Sequence, residues 1–213
     1  MFEGYLPRAL PDISSVRASL HYDYDRNTVK AWAGDSQWRA CRADWARFRE
    51  NGYTAWGSEG FWALGIHRLQ KVVQELQPRW FWGPARLALC VVRKLFVIVT
   101  LIDIHPDVEI GPGLIIPHGG PIRVHGDTKI GVDCALQHMS TIGAGPRPGG
   151  ATIGDHVFIG CHSSIIGRVT IGDGAMIAAN SLVISDVPAG TTAIGVPAKI
   201  HPEMPRGWGR LPG

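Results

Sequence analysis

The 213-residue sequence has few of the features that mark secreted, membrane-spanning or nucleic-acid-binding proteins. Its four cysteines form no CxxC pair, and no signal-peptide pattern opens the chain, so we expect reduced thiols in a cytoplasmic protein. The most apolar run, 87–102, contains Arg93 and Lys94 and is shorter than the roughly 20 residues that a membrane-spanning helix needs. Neither charge sign forms a long run and the net charge is only +3, which argues against nucleic acid as a partner.

Glycine and proline are abundant, with 27 and 15 residues, but glycine does not recur at every third position as collagen requires. We therefore expect a fold dense in turns. Residues 1–100 form a predicted N-terminal helical region, with helices over 37–50, 58–77 and 84–100. Seven of the eight tryptophans lie there, which predicts helices packed on each other or on a partner. Contact with a membrane surface through the Trp and Arg residues of 79–82 is the alternative.

Beyond residue 100 the aliphatic residues recur every six positions, with two extra residues before Ile130 and five before Ile153. This period fits neither an α-helix nor a single strand, but it fits a parallel β-helix with one short strand per hexapeptide. Three hexapeptides make one coil, so residues 101–200 predict a prism of a little over four coils, roughly 20 Å tall. A Pro/Gly-rich tail follows at 201–213. The thirteen aliphatic positions are Ile104, Ile110, Ile116, Ile122, Ile130, Leu136, Ile142, Ile153, Ile159, Ile165, Ile171, Ile177 and Val183.

Several short motifs within residues 44–200 resemble one acyltransferase family. The repeats and the closing GVPAK at 195–199 resemble the left-handed β-helix acyltransferases, and DIHP at 103–106 resembles the serine O-acetyltransferase branch. LQHMSTIG at 136–143 looks like that branch's LQxVTLG, and GFWAL at 60–64 with Arg68 is similar to its GFxAL...R helix. The resemblance implies a mainly β fold, a left-handed parallel β-helix preceded by an α-helical segment. It also implies a homotrimer or a dimer of trimers, with active sites in the grooves between prisms.

The same resemblance implies transfer of an acetyl group from acetyl-CoA to the hydroxyl of a small acceptor, most simply serine, as in cysteine biosynthesis. Such a reaction needs a base, stabilisation of the developing oxyanion and a slot that aligns the two substrates. In the family, the catalytic histidine lies thirteen residues after the histidine of DIHP. In this sequence that position is His118. Asp103 is the expected orienting partner of His118. No GxSxG motif is present, so we expect direct attack by the acceptor rather than a covalent enzyme intermediate.

Further residues are predicted to contact the substrates. His138 lies two places after Leu136, as His118 lies two places after Ile116, so both should lie on one face one coil apart, with His138 lining the acceptor pocket. Mere stacking of exposed side chains explains His138 almost as well. Arg147, in the longer insertion, and Asp44 are further candidates for a charged acceptor. By position in the family, the coenzyme A contacts are Ala144, Cys161, Ala179 and Lys199.

Two other functions remain open from the sequence. Serine-specific relatives carry Asp directly before the catalytic histidine, whereas this chain has Pro117, so a sugar or nucleotide-linked sugar is an alternative acceptor. A noncatalytic trimeric scaffold is the other alternative. A zinc hydratase on this prism would use an HxxxxH pair, which the chain lacks, so we expect no metal.

Overall fold

The computed structural model describes residues 35–78, 80–146 and 148–202. Within these residues, three α-helices precede the repeats: α1 (Asp35–Glu50), α2 (Glu59–Glu75) and α3 (Gly83–Thr100). Each lies within a few residues of a helix predicted from sequence. A short 3₁₀ turn, Ala55–Gly57, leads into α2. Leu101, the C-cap residue of helix α3, adopts a left-handed conformation with φ of 61° and turns the chain into the first strand.

The remainder of the described chain is a parallel β-helix of three sheets, as predicted. Sheet A contains strands β1, β3, β6, β9 and β12; sheet B contains β2, β4, β7 and β10; sheet C contains β5, β8, β11, β13 and the antiparallel β14. The strands are β1 (Ile102–Ile104), β2 (Glu109–Ile110), β3 (Ile122–Val124), β4 (Lys129–Ile130), β5 (Ala135–Leu136), β6 (Thr141–Gly143), β7 (Thr152–Ile153), β8 (Phe158–Ile159), β9 (Ser164–Ile166), β10 (Thr170–Ile171), β11 (Met176–Ile177), β12 (Leu182–Val183), β13 (Thr192–Gly195) and β14 (Ala198–His201).

The strand register gives five coils and corrects the position of the first insertion. Val124, not Ile122, pairs with Ile104 on one side and Ile142 on the other, so the two extra residues lie between Ile116 and Val124. The predicted height is kept, since five strands spaced by about 4.8 Å span about 20 Å. The fifth coil was missed because Val187, which bridges to Ile171, follows Val183 by only four residues.

The aliphatic row fills the axis of the prism. Ile116, Ile165, Ile171 and Ile177 are completely buried, and Ile110 packs against the same core with partial exposure. Burying each such side chain contributes roughly 1.5–3 kcal/mol. The coil is therefore a rigid frame on which the corner residues are held.

A buried ion pair between α1 and α2 also binds the prism. The Arg68 guanidinium of α2 binds both carboxylate oxygens of Asp44 in α1, at 2.7 and 3.1 Å, and donates to the carbonyl oxygens of Ile110 and Gly111. Asp44 also accepts the backbone N–H of Gly113. Both side chains of the pair are almost completely buried. Burial raises the pKa of the Asp44 carboxyl, while Arg68 and the Gly113 amide oppose that rise.

Next to this pair, the imidazole of His67 is held uncharged. Burial, followed by the nearby Arg68 and Lys71 cations, lowers the pKa of His67 from 6.5 to about 3. The ring is hydrogen-bonded to the backbone of Val108, and its Nδ1 is buried without a hydrogen-bond partner among the described residues. A proton on this ring would therefore be destabilising in the folded protein.

This buried histidine predicts a pH-dependent stability. The unfolded chain binds a proton on His67 below about pH 6.5 and the folded chain does not, so stability is complete above that pH and falls as the pH decreases towards 3. Between pH 7 and 5 the loss from this one group is about 2 kcal/mol. Urea denaturation at the two pH values should show that loss, and His67→Gln should reduce it. The control His125→Gln, at a more exposed histidine, should keep the pH dependence of the unmodified protein. If His67→Gln keeps it as well, the prediction is wrong.

Helix α3 presents its apolar side to solvent. Arg86 donates to the carbonyl oxygens of Val73, Gln74 and Leu76, and Arg93 donates to that of Ile104, so arginines of α3 face the protein. No residue of α3 is buried. None of the helices within the described residues is long and apolar enough to cross a membrane. The large side chains exposed on and around this helix are Trp80, Phe81, Leu87, Val91, Val92, Leu95, Ile98, Val99 and Leu101.

Candidate functional site

Three imidazoles form a row along one edge of the prism. This edge, here called the C–A corner, consists of the turns from sheet C to sheet A at 117–121, 137–140, 160–163 and 178–181. The ring centroids of His118 and His138 are 5.9 Å apart, and those of His138 and His162 are 6.1 Å apart, with nearly perpendicular ring planes. The predicted adjacency of His118 and His138 on successive coils is confirmed.

His162 was not predicted as a member of this row. It lies three places after Ile159, whereas His138 lies two places after Leu136, so counting positions in the repeat separates the two. The backbone N–H of His162 donates to the carbonyl of His138 at 3.2 Å, which brings the two rings together. Positive φ values at Met139 and His162 mark the same place in the two turns.

The first insertion is the loop that carries His118. The two extra residues fall between Ile116 and Val124, so the turn at 117–121 extends beyond the regular coil. His118 is exposed on this loop, whereas Ile116 two residues earlier is completely buried. A side chain on a short loop held by a rigid frame suits a residue that must meet a substrate.

The helical region completes the surroundings of His118. Helix α2 lies against the segment that precedes His118, because a Cβ on Gly60 would be 2.2 Å from the carbonyl oxygen of Ile116. Only glycine permits that approach. The ring of Tyr53, in the turn after α1, meets the His118 ring edge-on at 6.0 Å. His138 has a buried Nδ1 without a hydrogen-bond partner in the described part of the chain.

Asp103 does not meet His118 within one chain. Its carboxylate is bound by Arg93 and, at 3.5 Å, by Arg123. The reason is register: β1 pairs with β3 so that Asp103 lies directly opposite Arg123 on sheet A, away from the C–A corner. Across residues 35–78, 80–146 and 148–202, no hydrogen bond or ion pair joins Asp103 to His118.

The predicted acceptor contact of Asp44 is not what the structure supports. Asp44 is 1% exposed and its carboxylate is occupied by Arg68 and the Gly113 amide, so no surface is left for an acceptor. Arg147 lies outside the described residues. Of the predicted acceptor contacts, His138 is therefore the one that the structure places beside His118.

The four predicted coenzyme A contacts fall on different edges. Cys161 and Ala179 lie on the C–A corner, on the two coils beyond His138, and the Asn180 N–H donates to the Cys161 carbonyl at 3.0 Å. Ala144 follows β6 at the start of the longer insertion, and Lys199 is exposed on β14. Two of the four residues thus continue the line of the histidine row.

A separate cleft lies between α2 and sheet B. A cavity of about 600 Å³ separates α2 from sheet B and is lined by charged residues including Lys71, Glu109 and Lys129. Neither His118 nor His138 lines it. In the described ranges, no group of three or more His, Cys, Asp or Glu side chains is arranged to hold a metal ion.

Known proteins are similar to this chain in sequence. Residues 150–185 match the family described as bacterial transferase hexapeptide (six repeats). A serine acetyltransferase of Helicobacter pylori is 36% identical over 140 residues, which are 63% of this chain and 80% of that protein. A serine acetyltransferase of Escherichia coli is 33% identical over 178 residues, which are 80% of this chain but only 64% of that protein. The chain therefore spans less than two thirds of the length of the Escherichia coli protein.

A solved structure matches both the helices and the prism. The serine acetyltransferase of Neisseria gonorrhoeae in complex with serine has a TM-score of 0.68 and 28% sequence identity. The match covers 81% of this chain and 72% of that chain.

Proposed function

Because this chain belongs to the serine acetyltransferase family, we propose that it transfers an acetyl group from acetyl-CoA to the hydroxyl of serine or a serine-like amino acid. The observation that carries the proposal is the exposed imidazole of His118, on the inserted loop of the C–A corner, beside His138. The product of this reaction would be an O-acetylated amino acid, as in cysteine biosynthesis. The four unpaired cysteines support a reducing, cytoplasmic setting.

In the proposed reaction His118 is the general base. Its imidazole accepts the hydroxyl proton while the acceptor oxygen attacks the thioester carbonyl carbon. A C–O bond forms, the C–S bond breaks, and the imidazolium returns the proton to the departing thiolate. His138, one coil away, lines the acceptor side of the base. Coenzyme A extends along the C–A corner past Cys161 and Ala179, with Ala144 and Lys199 as its further contacts.

The proposed active form is a homotrimer, or a dimer of trimers, and the outward apolar side of α3 supports self-association. Monomeric proteins rarely expose a continuous apolar patch of this kind, and here the arginines of α3 are turned inward. A second copy of the chain is the proposed partner for this surface. The carboxylate that orients His118 is then Asp103 of the neighbouring subunit. Within one chain, Asp103 lies on sheet A, away from the C–A corner.

Shared sites predict that two inactive variants complement each other. His118→Ala and Asp103→Ala should each be inactive alone, but a chain with an intact His118 and a neighbour with an intact Asp103 restore a complete site. Random mixing at equal amounts should recover about one quarter of the unmodified activity, since each site lies at one head-to-tail interface. Acetyl transfer is measured after mixing and refolding the two variants together.

The control mixes His118→Ala with unmodified chains whose Asp103 and His118 are both intact, which should give about half of the unmodified activity by the same counting. If the mixture of the two variants stays inactive while the control gives its expected activity, the shared site is contradicted. Analytical ultracentrifugation of the unmodified protein reports the oligomer directly.

An acceptor panel tests the proposed function itself. We expect release of free thiol from acetyl-CoA with serine, less with homoserine, and none above background with sugars. Turnover with sugars alone would favour the alternative sugar acetyltransferase, for which Pro117 is the motivating residue. Failure to bind coenzyme A by calorimetry would favour the scaffold.

A further inference from the structure

A carboxylate that makes no hydrogen bond or ion pair with the described residues lies against the loop that carries His118. Glu59 is the first residue of α2, and a Cβ built on Gly119 would be 3.0 Å from both the Cδ and an Oε atom of Glu59. This carboxyl group therefore rests directly on the loop, at the residue that follows His118. Glu59 is exposed, and within the described residues its carboxylate makes no hydrogen bond or ion pair.

The ordinary role of a glutamate at this position is to stabilise the helix N-terminus, which requires no contact with another element. That role explains the residue type but not its contact with the glycine beside the base. The other acidic candidate for the acceptor, Asp44, is occupied by Arg68. The residue directly before His118 is Pro117, which has no charge. Among the described residues, Glu59 is thus an unpaired acid on the loop that carries His118.

We propose that Glu59 binds the ammonium group of the acceptor and selects amino acids over neutral alcohols. The inference rests on the proposed acetyltransferase function and deepens it by naming the group that recognises the substrate. The hydroxyl and the ammonium of serine are on adjacent carbon atoms, so a base and a carboxylate held by neighbouring residues can bind both. None of the ion pairs among the described residues includes Glu59 or His118, which leaves the carboxylate available for a ligand.

The test compares serine with 3-hydroxypropionate, which has the same hydroxyl and carboxylate but no ammonium group. In Glu59→Gln we expect Kd for serine, measured by calorimetry with coenzyme A present, to rise about 10- to 100-fold, the usual loss for a hydrogen bond to a charged group. The kcat/KM for serine should fall by the same factor, while Kd for 3-hydroxypropionate and KM for acetyl-CoA stay unchanged. Glu59→Lys should weaken serine binding further and strengthen 3-hydroxypropionate binding.

The matched control is Asp127→Asn, which removes an exposed carboxylate at the turn between sheets A and B. It should leave both Kd values unchanged. If the unmodified protein turns over serine and Glu59→Gln has the same Kd and kcat/KM for serine, only the assignment of Glu59 is overturned. Equal weakening of both ligands in Glu59→Gln also overturns it, because that pattern reports a damaged site. An unmodified protein that releases no thiol with serine overturns the proposed function instead, and the assignment of Glu59 with it.

Discussion

Replacing His118 with alanine is expected to lower kcat for acetyl transfer to serine by about 10²- to 10⁴-fold, the usual contribution of a general base. Without the imidazole, the hydroxyl proton has no acceptor when the oxygen attacks the thioester. The side chain is exposed on a loop, so its removal should leave the fold and the melting temperature unchanged. Thiol release at saturating acetyl-CoA measures the effect, and calorimetry with coenzyme A verifies that the donor still binds.

The histidine row supplies matched controls for this experiment. His162→Ala removes an imidazole from the same edge, two coils from the base, and should change kcat by no more than about 3-fold, since it lies outside the reacting groups. His138→Ala should raise KM for the acceptor while kcat changes less than in His118→Ala. A His118→Ala protein that retains full turnover contradicts the mechanism, and unchanged kinetics of His138→Ala with every acceptor removes His138 from the pocket.

The prism could be predicted from sequence because its physics is local and repetitive. Each aliphatic residue of the row faces the axis, so the six-residue spacing determines both the strands and the core. The first insertion was misplaced because two residues fit the six-residue spacing. Ile122 lies six residues after Ile116, and Val124 lies six residues before Ile130. In β3 both Ile122 and Val124 are buried, on either side of the exposed Arg123. Only the pairing with β1 and β6 distinguishes them.

The candidate site also contains residues that the repeat predicts and residues that it does not. The neighbouring positions of His118 and His138 follow from the coil, and they could be counted from the repeat. Tyr53 and Glu59 come from the helical region, whose docking depends on the close approach of Gly60 to Ile116 and has no period to reveal it. Asp44 carried a charge that suggested a ligand, but nothing in its local sequence showed that Arg68 would bury it.

The second large effect concerns that buried pair. Asp44→Asn keeps the size of the side chain but leaves the Arg68 guanidinium without its counter-charge, in a place where its side chain is 4% exposed. Leaving a buried charge uncompensated costs about 3–5 kcal/mol, which is a large share of the stability of a typical domain. Arg68→Met should cost a similar amount, because it strands the Asp44 carboxylate and removes the donors to the carbonyls of Ile110 and Gly111. Urea denaturation measures both variants.

The double variant Asp44→Asn/Arg68→Met, which combines the two single substitutions, separates electrostatics from packing. With both charges removed, no ion remains desolvated, so the double variant should be more stable than either single variant. The exposed pair of Glu109 and Lys129, 3.1 Å apart, is the control: Glu109→Gln should change stability by less than about 1 kcal/mol. Additive losses in the double variant would mean that the two charges contribute independently to stability, which contradicts the prediction. Recovery in the double variant would mean that each charge is tolerated in the core only because the other neutralises it.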